Sequence, residues 1–183
     1  MNGMFGWAHS FNQPLDLWDV SSVIDMSFMF QAAYEFNQPL NSWDVSSFTD
    51  MSYMFDSADR FNQPISSCVV LEAVIEHIHY IPKDLKGWDV SSVTNMAYMF
   101  QFACSFNQQL DSWDVSSVTN LDGMFNKACS FNQSLNSWDV STVNYMFRMF
   151  GRAYDNYNDP GKPCRIHPDN VLWFDFKSGY WEH

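Results

Sequence analysis

Positive charge is scarce in this chain. Nine Lys and Arg face 21 Asp and Glu, for a formal net charge of −12. No basic stripe exists to neutralise phosphates, so nucleic acid is excluded as a partner class. An anionic membrane surface would repel the chain. No apolar run reaches the roughly 18 residues of a spanning helix, which excludes membrane insertion. The first residues lack the charged and apolar regions of a signal peptide. The catalytic signatures G-x-S-x-G, H-E-x-x-H, the phosphate loop and C-x-x-C are all missing, which points away from an enzyme and implies no cofactor. The densest titratable cluster is Glu76-His77-Ile78-His79. An exposed pair of imidazoles at helical spacing reads as solvated, so a hydrolase built on His77 or His79 is the weakest reading. His9, His167 and His183 are scattered.

What the chain does have is repetition. Phe-Asn-Gln begins at Phe11, Phe36, Phe61, Phe106 and Phe131, and Trp-Asp-Val at Trp18, Trp43, Trp88, Trp113 and Trp138. The step is 25 residues except for one of 45. A fixed period in this range marks a solenoid, in which each unit buries its apolar face against its neighbours. The fold class expected is an α/β repeat, a leucine-rich-repeat-like solenoid of about 25-residue strand-turn-helix coils. Leu40 to Val45 has the form L-x-x-L-x-L with Trp43 in the middle apolar slot. On a strand, Trp43 and Val45 point inward and Asp44 outward. Ser47 with Asp50, and Ser22 with Asp25, resemble capping boxes; Ser92 with Asn95 and Ser117 with Asn120 are weaker versions. Phe48, Met51, Met54, Phe55 and Ala58 then recur at three- and four-residue steps, as on one face of a short amphipathic helix filling the core.

Asn12, Asn37, Asn62, Asn107 and Asn132 hold one register, where stacked amides can bond the backbone of the adjacent coil. The Gln that follows each of them receives no assigned role. Cys104 and Cys129 share a slot in adjacent units and are read as unpaired by default. Cys68 and Cys164 stand where Trp is expected.

Residues 1–159 read as a solenoid of five repeats interrupted by an insert at 68–87, and 160–183 as a C-terminal cap. The pattern is already under way at Met1, so the chain reads as a fragment of a larger protein or as an open-ended stack. Removing 68–87 joins Ser67 to Trp88 and restores a perfect unit. Two readings of the insert stand. It is a retained intron, or a real excursion with helical spacing at Leu71, Val74, Ile75 and Ile78. Val171 to Phe176 reads as a closing strand; its aromatics, with Tyr180 and Trp181, cover the end or offer a sugar-stacking platform.

The candidate functional constellation is Asp19, Asp44, Asp89, Asp114 and Asp139, one per repeat and outward-facing. With strands about 4.8 Å apart these form an acidic ladder. Like charges at that distance repel by about 0.8 kcal/mol in water-like dielectric and about 3 kcal/mol at an effective dielectric near 20, so the ladder needs an offsetting gain. Bonds from nearby Ser hydroxyls or amides are one source. Ca²⁺ is another, though the loop spacing of an EF-hand is missing. A cationic partner surface is the third.

The repeat W-D-V-S-S-V-T-x-M-x-x-M-F-x-x-A-x-x-F-N-Q resembles the BspA-like surface-protein repeats of mycoplasma lipoproteins, over Met1 to Asp159 without the insert. That resemblance implies a leucine-rich-repeat-like solenoid, display at the cell surface or outside the cell, and adhesion. The function expected is a non-enzymatic repeat protein that binds a protein or a cell-surface macromolecule through its strand face. The alternatives are a cation-stabilised structural solenoid, or a fragment of a surface protein with no activity of its own.

Overall fold

A computed structural model describes residues 1–66 and 87–151. The described residues contain no helix, and their only β-pairings are isolated parallel bridges, Asp25 with Asp50, Asp50 with Asn95, Asn95 with Asn120 and Asn120 with Tyr145. The expected α/β leucine-rich-repeat-like solenoid of strand-turn-helix coils is therefore overturned. What forms is a stack of irregular coils built almost wholly from tight turns.

The segment expected as a helix shows why. In residues 26–33 the amides alternate in purpose. Met26, Phe28, Phe30 and Ala32 donate to the carbonyls of Asp50, Ser52, Met54 and Asp56 in the next coil, at 3.0, 3.0, 2.9 and 2.8 Å. The amides between them close three-residue turns within the coil, Met29 to Met26, Gln31 to Phe28 and Ala33 to Phe30. An α-helix would direct all of these amides along its own axis to the fourth carbonyl back. Here half of them tie one coil to another, and an isolated helix of this length has little stability of its own to set against that. Successive three-residue turns still place Met26, Met29, Phe30 and Ala33 on one side. All four are buried, which is the side-chain spacing that mimicked a helix.

Each unit repeats this scheme. Met51, Tyr53, Phe55 and Ser57 donate to Asn95, Ala97, Met99 and Gln101, and Met96, Tyr98, Phe100 and Phe102 to Asn120, Asp122, Met124 and Asn126. Equivalent side chains consequently pile into columns. Phe30, Phe55, Phe100, Phe125 and Phe150 stack with ring centroids 5.5–5.7 Å apart. A second column, Phe36, Phe61, Phe106 and Phe131, runs beside it at 6.0–6.1 Å. Within a coil the two columns touch at 4.0 Å, as at Phe30 and Phe36. Trp88, Trp113 and Trp138 form a third column at 6.5 and 6.4 Å.

The inward reading of Trp43 and Val45 holds: both are buried, while Asp44 between them is half-exposed. The capping boxes do not form, since no helix follows. The Asp25 carboxylate instead accepts the amide of Ser27, two residues on, at 2.9 Å, and Asp50 accepts that of Ser52 at 2.8 Å. The insert, apart from Gly87, lies outside the described residues, as do His77, His79, the closing strand at Val171 to Phe176 and the cap. The coil that flanks the insert keeps its register. The Trp88 amide donates to the Ile65 carbonyl at 2.8 Å, matching the Trp43–Leu40 and Trp113–Leu110 bonds.

Candidate functional site

The Trp-Asp-Val-Ser turn is built around its two anchors. Trp and Val enter the core on either side of the Asp, which is thereby held at the surface. The Trp is fixed further through its indole. Trp43 Nε1 donates to the Leu15 carbonyl at 2.9 Å, Trp88 Nε1 to Leu40 at 2.9 Å and Trp138 Nε1 to Leu110 at 2.8 Å, each one coil back. Trp113 departs from the pattern. Its buried Nε1 has no partner among the described residues. By register its acceptor is the Ile65 carbonyl, beside the insert.

All five candidate carboxylates occupy the same place in their coils, four of them exposed and Asp44 half-exposed. Each turns back on its own coil. Asp19 Oδ1 accepts the Ser21 amide at 3.1 Å and its hydroxyl at 2.7 Å. Asp44 is bonded likewise by Ser46, at 3.2 and 2.6 Å, and Asp89 by Ser91, at 3.1 and 2.7 Å. The Ser116 amide reaches Asp114 at 3.0 Å and the Ser141 amide reaches Asp139 at 2.9 Å. These bonds to Ser116 hold the Asp114 carboxyl below its usual value, against a smaller opposing push from the charge of Asp139. At Asp114 the serine bonds thus outweigh the repulsion from its neighbour, as expected when hydrogen bonds favour the charged form. Among the described residues no group of three or more His, Cys, Asp or Glu is placed to hold a metal ion. Each of the five carboxylates thus has a serine contact of the kind expected to offset the repulsion.

The residues read as capping-box partners form a second row with a different role. Asp25, Asp50, Asn95 and Asn120 each accept the amide two residues on, at 2.9, 2.8, 3.1 and 3.0 Å. Burial raises the Asp25 carboxyl, but the Ser27 bonds outweigh it and leave the group below its ordinary value. The D-x-S spacing shared by Asp19–Ser21 and Asp25–Ser27 was the available signal. The Asn register behaves as expected. Asn37, Asn62, Asn107 and Asn132 donate their amides to the side-chain oxygens of Asn12, Asn37, Asn62 and Asn107, at 2.8–3.0 Å. The Gln that received no role completes the clamp. Gln38, Gln63, Gln108 and Gln133 each donate Nε2 to that same Asn oxygen at 2.8–3.1 Å.

An open groove adjoins the first two ladder residues, lined by Asp16, Leu17, Trp18, Asp19, Ser42 and Asp44. Leu17 is 93% exposed, and Trp18 is 38% exposed where the later tryptophans of its column are 3–4%. Apolar and acidic surface therefore meet at this end of the row.

Two stretches, residues 1–80 and 69–164, match the family described as Mycoplasma protein of unknown function, DUF285. The chain belongs to that family. No curated protein and no solved structure matches it. The two matched stretches cover every Trp-Asp-Val turn, so the row of carboxylates lies wholly within the family region.

Proposed function

We propose that this DUF285 protein is a non-enzymatic, BspA-like surface repeat protein that binds a cationic protein or cell-surface macromolecule through its row of Trp-Asp-Val-Ser turns. One observation carries the reading. Asp19, Asp44, Asp89, Asp114 and Asp139 stand at the surface once per coil, each oriented by the serine two residues on and seated between a Trp and a Val. Side chains fixed in this way lose little rotamer freedom on binding, which lowers the entropic cost of association. Like charges in a row steer a partner of opposite sign and set its register.

The test compares two variants of equal charge. Asp44, Asp89 and Asp114 are changed to Asn in one, and Glu35, Asp59 and Asp111 to the corresponding amides in the other. Binding to an immobilised basic oligopeptide should fall about tenfold or more in the first and little in the second, with the thermal midpoint checked in each. Equal losses in the two variants would reduce the effect to net charge and remove the row as a site.

A further inference from the structure

The structure brings together two thiols that the proposed function does not use. Position 104 in one coil and position 129 in the next are bracketed by pairs in strict register. Phe100 lies 5.7 Å from Phe125 and Phe106 lies 6.1 Å from Phe131, centroid to centroid. The Phe102 amide bonds the Asn126 carbonyl at 2.9 Å, and the Asn132 amide bonds Asn107 Oδ1 at 2.8 Å. The backbones at Cys104 and Cys129 are thus one coil step apart. A step of about 4.8 Å falls inside the Cα separation of roughly 4.4–6.8 Å that a disulfide spans. Cys129 Sγ donates to the Lys127 carbonyl of its own coil at 3.4 Å. Cys104 is exposed and Cys129 half-exposed, both as free thiols, so small reagents can reach them.

We infer that Cys104 and Cys129 are a redox pair that closes into a disulfide across two coils by exchange with a low-molecular-weight disulfide. The thiolate of one cysteine attacks the reagent, forming a mixed disulfide and releasing one small thiol. The second cysteine, as thiolate, attacks the protein sulfur, so that the Sγ–Sγ bond forms and the second small thiol leaves. Two protein thiols are oxidised, one reagent disulfide is reduced to two thiols, and the two protons lost by the cysteines balance those taken up by the leaving thiolates. Partial burial, then the charge of Asp59 in the preceding coil and the neighbouring Cys129, pushes the Cys104 thiol up to about 11. Closure is therefore slow near neutral pH and accelerates as pH rises.

The experiment incubates the full chain with oxidised glutathione at pH 8.5 and maps the products by mass spectrometry of peptides. The expected product is a peptide pair joined through Cys104 and Cys129, with a thermal midpoint raised by roughly 5–10 °C and restored by reductant. Cys104→Ser should abolish both. Glutathione adducts at both cysteines without an internal bond, or pairing of either with Cys68 or Cys164, would overturn the inference.

Discussion

A left-handed backbone costs a residue with a side chain about 1–2 kcal/mol, and this chain bears that cost at Phe28, Tyr53 and Tyr98 with φ of 60, 57 and 58°. The three rings stack on one another at 4.8 Å, an aromatic contact that offsets part of the cost. The next position in the row is Gly123, at φ +55°, where a Cβ would lie 2.3 Å from the Tyr98 ring. Gly123→Ala should destabilise by about 1–2 kcal/mol in denaturant unfolding, and part of the loss should disappear in a Tyr98→Ala background. Asp56 is a second site of residue-scale strain. Burial raises its carboxyl, and the bonds from Gln31 and Ser57 offset this incompletely. A raised pKa means the folded state disfavours the charged form. Stability is therefore lost as pH rises from the unfolded value of 3.8 through the folded one, and regained on acidification. Asp56→Asn should raise the thermal midpoint at pH 7, and the difference should vanish below about pH 3.5. A difference independent of pH would contradict the assignment.

At the scale of the single coil, the tryptophans offer an internal control. Trp88→Phe removes a buried indole that donates to Leu40, leaving that carbonyl with one bond fewer. Trp113→Phe removes an indole N–H that has no partner. The first should cost about 1–2 kcal/mol more than the second, because breaking a made bond loses its net worth while deleting an orphaned donor relieves a desolvation penalty. Thermal unfolding of the two variants measures the difference directly. The same coil shows what the sequence could convey. The spacing of Phe48, Met51, Met54, Phe55 and Ala58 correctly marked a buried side, and all five are buried. It could not distinguish a helix from a run of three-residue turns, since both present that spacing. Positive φ at Tyr53 and Ser57 was equally illegible, because neither residue type signals it.

On the scale of the stack, register is enforced by the alternating amides and the Asn-Gln clamp, joined at Trp43, Trp88 and Trp138 by the indole bond. All of these bonds join residues outside 67–86. The ends of that segment meet as they do in uninterrupted coils, with Trp88 bonded to Ile65. Deleting 68–87 should therefore preserve cooperative unfolding and leave the thermal midpoint unchanged or higher. Loss of the cooperative transition would show that the segment supplies a necessary part of the coil.

The recurrence of Phe-Asn-Gln and Trp-Asp-Val was enough to mark most of the side chains that go inward and the Asp row that stands at the surface. Burial follows from apolar periodicity, which is a property of the linear chain. The path of the backbone is another matter. Whether an amide bonds its own turn or the next coil depends on a carbonyl lying 24 residues away in the chain, as with Met26 and Asp50. That partner is within reach only once the coils have stacked, so the choice of turns over helix, and the meeting of Cys104 with Cys129, belong to the tertiary structure.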